Sequence, residues 1–174
     1  MTLKIARNVR QRTLLAAFML SLLTLISCGG GAAMQPTLSA EQAHEKVQAL
    51  VNSAAAASFP AGYKLTELPL QPEPCTDDSD QETGQVIVGV TYWIDGPDRA
   101  RNNEYYEKLK KWWQDNRWTI ENDTWTGEHF ANARSSDGYL MSLTGTVTGP
   151  VVGRLTVGAS SPCIWPHGTP EPRS

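Results

Sequence analysis

Two stretches of the chain have the hydrophobic spacing of an amphipathic helix. In the first, apolar residues recur every three or four positions, which places them on one helical face. These residues are Ala43, Val47, Leu50, Val51 and Ala54. Ser39 and Gln42 stand just before them with the spacing of a capping box, in which each side chain bonds the other residue's backbone amide. The pattern predicts a helix over residues 40–56.

The second stretch predicts a more aromatic helix over residues 98–116. At 100° per residue its apolar side chains fall within an arc of about 120°. They are Tyr105, Tyr106, Leu109, Trp112 and Trp113. Charged residues lie opposite, and the pairs Glu104 with Lys108 and Glu107 with Lys111 have the i,i+4 order that favours helical ion pairs. We therefore expect the aromatic face to pack on another layer of the fold.

Elsewhere the pattern is typical of β-strands. Residues 85–94 (QVIVGVTYWI) are β-branched and aromatic and give the clearest strand signal, and residues 63–68 predict a short strand before them. Beyond Trp118 the chain predicts strands at 118–121, 124–133, 139–147 and 151–159, with turns at 122–123, 135–138 and 148–150. Such brief turns join strands into an antiparallel meander. The predicted fold class is α+β: a two-layer sandwich with the aromatic helix on one face of the meander, together with an N-terminal helix.

The N-terminal segment has the organisation of an export signal. Four basic residues and no acidic residue precede residues 14–26, an apolar run of 13 residues. This run is shorter than the roughly 20 residues that a bilayer-spanning helix needs. Its end, Leu25-Ile26-Ser27-Cys28, resembles the lipobox of bacterial lipoproteins. That resemblance implies that the Cys28 thiol receives a diacylglycerol and that cleavage leaves Cys28 as the mature N-terminus. The alternatives are an uncleaved membrane anchor and a signal peptide cleaved elsewhere.

This interpretation divides the chain into a signal peptide over 1–27, a flexible tether over 28–37, a single domain over 38–165 and a Pro-rich tail over 166–174. It also changes the charge. The whole chain has 15 basic and 18 acidic residues, but residues 28–174 keep 11 basic residues against all 18 acidic ones, which is a net charge of −7. So acidic a domain is not expected to bind nucleic acid, which requires a basic surface. The predicted location is the extracytoplasmic face of the cell membrane, held by the lipid anchor.

The three cysteines fit the same interpretation. Lipidation of Cys28 leaves Cys75 and Cys163, and two thiols in an oxidising compartment are expected to pair. For the loop between Cys75 and Cys163, the chain-entropy model predicts that a disulfide adds roughly 4–5 kcal/mol to the free energy of unfolding. A zinc site is the alternative, but the sequence has no CxxC and only His167 lies near Cys163. We predict neither a metal nor a cofactor.

Motifs for catalysis are absent from the sequence. It contains no GxSxG, HExxH, phosphate loop or dinucleotide fingerprint. Residues 77–82 are acidic, but they lack the glycine and the final glutamate of an EF-hand loop. Glu128 and His129 fall in a predicted strand, where neighbouring side chains point to opposite faces, so no catalytic pair is expected. The chain is therefore predicted not to be an enzyme.

Aromatic residues are the main candidates for ligand binding. The chain has six tryptophans, and aromatic side chains stack on sugars and grip apolar or peptide ligands. Packing in the core is the simpler interpretation of the helical arc. A ligand site would require Trp112, Trp113 or Trp125 to be exposed in a groove.

Residues 75–165 resemble small lipoproteins of actinobacteria whose function is mostly unassigned. The shared features are a strand ending in TYWIDG, the helix YYEKLKKWW, Trp118, Asp137-Gly138-Tyr139 and Ser161-Pro162-Cys163. The resemblance implies an envelope location and the Cys75–Cys163 pair, and it supplies no catalytic residue. We predict a lipid-anchored lipoprotein that acts as a non-catalytic binding or accessory module, with an envelope protein, a glycan or a lipid as its ligand. An envelope hydrolase is the alternative.

Overall fold

The computed structural model describes residues 37–170, which contain three α-helices and eight β-strands. In chain order these are α1 Ala40–Ser58, β1 Lys64–Leu68, β2 Glu73–Thr76, β3 Glu82–Ile87, β4 Gly89–Asp95, α2 Asn102–Asp115, β5 Thr119–Asp123, α3 Trp125–Glu128, β6 Phe130–Arg134, β7 Leu140–Gly145 and β8 Leu155–Ser160. Within this range no helix has both the length and the apolar character needed to cross a membrane. The predicted signal peptide and Cys28 lie outside the described residues.

Six strands form the main sheet, and β2 and β3 form a separate hairpin. The main sheet has the order β1-β4-β8-β7-β6-β5, and every neighbouring pair is antiparallel. Strands β5 to β8 are sequential neighbours, which confirms the predicted meander for this part. Helix α1 packs on β4 and β8 and against α2, and α2 lies against β5. The chain is therefore an α+β sandwich, as predicted.

Successive side chains along each strand point to opposite faces of the main sheet, and the helices cover one of these faces while the other stays open. The covered face carries buried side chains that join the helices in one core. They include Val90, Tyr92, Ile94, Leu143, Leu155 and Val157. On the open face, Thr91, Trp93 and Ser142 stay partly exposed. A strand's period of two residues produces this division.

Both long helices keep their predicted buried face, but α2 begins at Asn102 and not at residue 98, because residues 99–101 form a 3₁₀ turn. Ser39 Oγ accepts from the Gln42 amide at 3.3 Å, and Gln42 Oε1 accepts from the Ser39 amide at 3.0 Å, which confirms the capping box. In α2 the predicted ion pair of Lys108 with Glu104 is present at 2.8 Å. The predicted pair of Lys111 with Glu107 was wrong, because Lys111 Nζ lies 2.8 Å from Asp115 Oδ2 and forms its ion pair there.

Two predicted strands are interrupted. The strand expected over residues 85–94 is divided between β3 and β4, which belong to different sheets. Between them the Val88 amide donates to Ser161 Oγ at 3.0 Å, and the Val88 carbonyl accepts from the Ser161 amide at 2.9 Å. Ser161 therefore takes the place of a strand partner where the chain changes sheet. The strand expected over 124–133 contains α3 before β6 begins, and the turn expected at 122–123 lies in β5.

A disulfide joins the hairpin to the end of the domain. Cys75 in β2 is bonded to Cys163, 88 residues further along, with the Cα atoms 6.2 Å apart, so the predicted pairing is confirmed. Nearby, the Ala40 amide donates to the Pro166 carbonyl at 3.0 Å and the Thr37 amide to the Gly168 carbonyl at 2.9 Å. The beginning of the Pro-rich segment is thereby hydrogen-bonded to the start of α1.

Candidate functional site

The structure separates the six tryptophans into buried and half-buried side chains. Trp113 is fully buried in the core, and Trp118, Trp125 and Trp165 are less than a tenth exposed. Trp93 and Trp112 are half-buried. Of the three candidates for ligand binding, Trp113 belongs to the core, Trp112 packs beside Trp118 with ring centroids 6.0 Å apart, and Trp125 lines a groove.

We call the groove beside Trp125 the aromatic groove. Its volume is about 420 Å³, which falls among the small-molecule sites of roughly 300–1,000 Å³. Its lining residues are Asn103, Tyr106, Glu107, Lys110, Asp123, Trp125, Thr126 and His129. They are aromatic or polar, and no Ala, Val, Leu, Ile or Met is among them.

Helix α2 and the α3 region build the two walls of the aromatic groove. Asn103, Tyr106, Glu107 and Lys110 are spaced i, i+3, i+4 and i+7, so one stripe of α2 forms the first wall. The second wall follows β5, where the chain closes a single helical turn: the amides of Gly127 and Glu128 donate to the Thr124 carbonyl at 3.1 and 2.8 Å. That turn brings Trp125 across to α2.

Trp125 is held firmly in this second wall. Its ring stacks on Tyr106 with centroids 4.6 Å apart and the planes 10° from parallel. Its Nε1 donates to Asn103 Oδ1 at 2.9 Å, and His129 meets it edge-on at 5.4 Å. These contacts leave Trp125 only 3% exposed. Trp125 therefore shapes the groove, while the half-buried His129 ring is the most exposed of the three aromatic rings.

An ion pair crosses the groove between its two walls. Lys110 Nζ lies 2.7 Å from Asp123 Oδ2 and 5.4 Å from the centroid of the Tyr106 ring. The Asp123 carboxylate holds the pKa of Lys110 above its usual range. Lys110 in turn holds the pKa of Asp123 below its usual range. Both side chains therefore remain charged at neutral pH.

The Tyr106 hydroxyl is buried beside this ion pair, where it interacts with the Asp123 carboxylate and the Lys110 ammonium. Burial raises the pKa of Tyr106 to about 12, and the adjacent Asp123 carboxylate adds to the rise, so the phenol is neutral. The oxygen has almost no exposed surface, so a ligand in the groove does not reach it while these contacts hold. Tyr106 therefore shapes the groove together with Trp125.

His129 reaches the groove through an unusual backbone conformation. It follows α3 with φ 50° and ψ 44°, in the left-handed region, which residues with a side chain adopt at some cost in strain. Gly145 donates its amide to the His129 carbonyl at 2.7 Å. A Cβ on Gly145 would lie 3.0 Å from the His129 Cβ, so the absence of a side chain there makes room for His129. The expectation that Glu128 and His129 share a strand was wrong.

Sequence reasoning missed most of this site. Asn103, Asp123 and His129 were not predicted to be functional, since their proximity depends on the helical turn of α3. One signal for that turn was present: Gly127 interrupts the predicted strand over 124–133, and a glycine inside a strand pattern indicates an irregularity.

Histidine and carboxylates line the aromatic groove together without forming a hydrogen-bonded pair. Asp123 is engaged by Lys110, and the ring of His129 contacts Trp125. Among residues 37–170 there is no group of three or more His, Cys, Asp or Glu that could hold a metal ion.

A second groove lies on the open face of the main sheet, and we call it the sheet groove. Its volume is about 340 Å³. Its lining residues are Leu70, Gln71, Glu73, Ile87, Gly89, Val90, Thr91, Leu140, Ser142, Gly158, Ala159 and Ser160. Small residues from three strands form its floor, and aliphatic side chains stand at its sides. Glu73 is the one charged residue in this lining.

No family model matches this sequence, and neither a curated protein nor a solved structure matches the chain. The functional interpretation therefore depends on the residues and geometry of the chain itself.

Proposed function

We propose that the chain is a lipid-anchored lipoprotein of the cell envelope whose domain binds a small polar ligand in the aromatic groove and does not transform it. The observation that carries the binding proposal is the groove itself, about 420 Å³ in volume, whose lining combines the half-buried His129 ring with the exposed side chains of Glu107 and Thr126. A concave site with an aromatic ring and a few convergent polar groups has the form of a small-molecule site.

Two features support the envelope location. Residues 25–28 have the lipobox pattern at the end of an apolar run, and the Cys75–Cys163 disulfide is of a kind that persists in oxidising compartments. Two or three acyl chains on Cys28 would hold the domain at the membrane without help from its acidic surface.

The anchor is tested by replacing Cys28→Ala and fractionating the cells. We expect the protein to move from the membrane fraction to the soluble fraction. The matched control is Cys75→Ser with Cys163→Ser, which removes the other two cysteines and should leave the protein with the membranes. A Cys28→Ala protein that still sediments with membranes would contradict the lipid anchor.

The binding site is tested by a thermal-shift screen of sugars, amino acids, amines, nucleosides and lipid headgroups, followed by titration calorimetry of the hits. Thr126→Ala and Glu107→Gln each change one exposed polar group of the groove lining. We expect at least one of them to weaken binding about tenfold, which corresponds to about 1.4 kcal/mol and is typical of one lost hydrogen bond. Thr119→Ala is the matched control, since it removes an exposed hydroxyl outside the groove. Hits whose affinity is unchanged in both groove variants, or no hits at all, would exclude the groove as the site.

An envelope hydrolase is the second candidate, because His129, Glu107 and Asp123 line the same groove. In such an enzyme His129 would act as the general base. Chromogenic esters, glycosides and amides provide the assay. Turnover by the wild type that disappears in His129→Gln would favour the hydrolase, whereas a bound and unaltered ligand favours the binding module.

A further inference from the structure

We propose that the loop between β7 and β8 contacts an anionic phospholipid membrane and so sets the orientation of the anchored domain. We call residues 146–153 the apolar loop. This inference rests on the lipid anchor of the proposed function and adds the surface that the domain turns toward the lipid. Four properties lead to it: exposed apolar side chains, a fixed backbone, the distribution of charge and the reach of the chain.

The apolar loop exposes hydrophobic side chains and carries no charge. Its sequence is TVTGPVVG. Four large hydrophobic side chains are exposed within the described residues, and two of them, Val147 and Val152, lie in this loop, each 51% exposed. Pro150 between them is exposed as well. Exposed apolar residues that are grouped in one place, and not scattered singly, mark an interaction surface for protein or membrane.

The backbone of the apolar loop is held in a defined conformation. The Gly153 amide donates to the Thr146 carbonyl at 2.8 Å. From the side of α2, Arg99 Nη1 donates to the Val152 carbonyl at 3.1 Å, and Asn102 Nδ2 donates to the Gly153 carbonyl at 2.7 Å. The exposed valines are therefore presented by an ordered loop, and contact with lipid requires little further ordering.

Basic residues surround the base of the apolar loop. The charged residues of the segment 95–104, together with Lys64 opposite Asp95 and with Arg154 at the end of the loop, are four basic and three acidic ones: Lys64, Arg99, Arg101 and Arg154, with Asp95, Asp98 and Glu104. Arg154 is paired with Asp95 at 2.9 Å and Arg101 with Glu104 at 2.7 Å. Arg99 forms no ion pair among the described residues, and only one of its guanidinium nitrogens donates to the loop backbone. Its other donors have the geometry that binds a lipid phosphate.

The opposite end of the main sheet is acidic. The apolar loop precedes Leu155 at the start of β8, whereas Gly89 pairs with Ser160 at the end of β8. The β2–β3 hairpin joins the sheet at Gly89, and its residues 73–82 include five acidic residues and no basic one. Anionic headgroups attract basic groups and repel acidic ones. The domain is therefore expected to approach an anionic membrane with the apolar loop foremost and the hairpin turned away.

The length of the chain before the described residues permits this orientation. The Thr37 amide donates to the Gly168 carbonyl, so the anchored side of the domain is the end of β8, opposite the apolar loop. Helix α1 has 19 residues, which corresponds to a length of about 28 Å. Residues 28–36 span up to about 30 Å when extended, so the loop can reach the membrane that holds Cys28. The anchor also raises the effective concentration of lipid, so a weak contact is sufficient.

The test measures lipid contact at two points of the lipidated protein, reconstituted into phosphatidylglycerol-containing vesicles that carry a nitroxide-labelled lipid. A fluorophore is attached through Val147→Cys in the apolar loop. Leu70→Cys is the matched control, because Leu70 is also 51% exposed and lies beside Gly89 in the sheet groove. Lipidation and the disulfide occupy the other cysteines, so the label attaches to the new thiol. We expect about threefold stronger quenching at position 147 than at position 70, because the apolar loop enters the membrane interface.

Two changes should weaken the quenching at position 147. Val152→Asp places a charge in the apolar loop, and vesicles of phosphatidylcholine alone remove the anionic headgroups that attract Arg99. We expect each change to reduce the quenching about twofold or more. Because the second change leaves the protein unaltered, its result does not depend on the folding of a variant.

Flotation of the protein with the vesicles reports the anchor separately from the loop. A protein that floats but is quenched equally at both positions, or more strongly at position 70, would overturn this inference and leave the anchor. Quenching at position 147 that neither Val152→Asp nor phosphatidylcholine weakens would show proximity without contact and also overturn the inference. A protein that does not float would overturn the anchor and, with it, this inference.

Discussion

The aromatic groove and the sheet groove have similar volumes, about 420 and 340 Å³, but they are made differently. The aromatic groove is local, since all of its lining lies within residues 103–129. The sheet groove combines residues from 70 to 160. The aromatic groove carries exposed polar side chains, an ion pair and a left-handed histidine, whereas the sheet groove is lined mainly by small and aliphatic residues.

The small residues of the sheet groove are explained by packing within the protein. In the sheet groove, a Cβ on Gly158 would lie 2.7 Å from Thr91 Oγ1 and 2.9 Å from the Val90 carbonyl oxygen, so packing alone requires a small residue there. In the aromatic groove, the half-buried His129 ring and the exposed side chains of Glu107 and Thr126 line the cavity together. An aromatic ring with several accessible polar groups is typical of a ligand site, and for this reason we assign the ligand to the aromatic groove.

The largest effect on stability is expected from removing the disulfide, which lies beside the sheet groove. It fixes the hairpin that contributes Glu73 and Ile87 to the sheet groove. Cys75→Ser with Cys163→Ser should lower the free energy of unfolding by up to about 4–5 kcal/mol, measured by urea denaturation. Ligand affinity in the aromatic groove should change less than twofold below the unfolding transition. A larger loss of affinity would show that the two regions are coupled.

A pair of glycine substitutions compares the two grooves directly. Gly158→Ala places a methyl group against Thr91 and Val90 and should destabilise the domain by about 1–3 kcal/mol. Gly127→Ala in α3, beside the aromatic groove, meets no atom within 4 Å, and it should stabilise the domain by about 0.5–1 kcal/mol. Chemical denaturation measures both changes. Equal effects would refute the difference in packing between the grooves.

The smallest effect is the pH dependence of the Lys110–Asp123 pair. The lowered pKa of Asp123 stabilises the fold above the ordinary carboxyl pKa of about 3.9, and this contribution is lost as pH falls toward the folded value. The raised pKa of Lys110 stabilises it below about 10.4, and that contribution is lost as pH rises through the folded value. Both side chains are about one-third exposed, so we expect less than about 1 kcal/mol.

Asp123→Asn is the variant for this measurement. Its stability should fall below that of the wild type by a constant amount between about pH 5 and 9, and the difference should vanish below the carboxyl pKa. Urea denaturation across the pH range provides the values. A difference that persists at pH 2 would mean that Asp123 stabilises the fold through something other than its charge.

Local patterns predicted the elements that depend on neighbouring residues. The capping box at Ser39 and Gln42, the buried face of α1 and the aromatic arc of α2 each follow from spacing within a few turns of helix. The Cys75–Cys163 pair followed from the parity of the cysteines. In the candidate site, only Trp125 was named in advance, although the stripe of Asn103, Tyr106, Glu107 and Lys110 could be recognised from its helical spacing.

What the sequence by itself determined is therefore the fold class, both long helices and the meander, because hydrophobic period, capping and turn chemistry act over short distances. The disulfide, which joins residues 88 positions apart, followed instead from the number of cysteines. Tertiary structure decided the break at Val88, since its hydrogen-bond partner Ser161 is 73 residues away. It also decided which tryptophans are buried, and it placed Asp123 and His129 opposite α2. Those outcomes depend on which surfaces meet when α2, α3 and the sheet pack, and each packing contact joins residues that no local pattern relates.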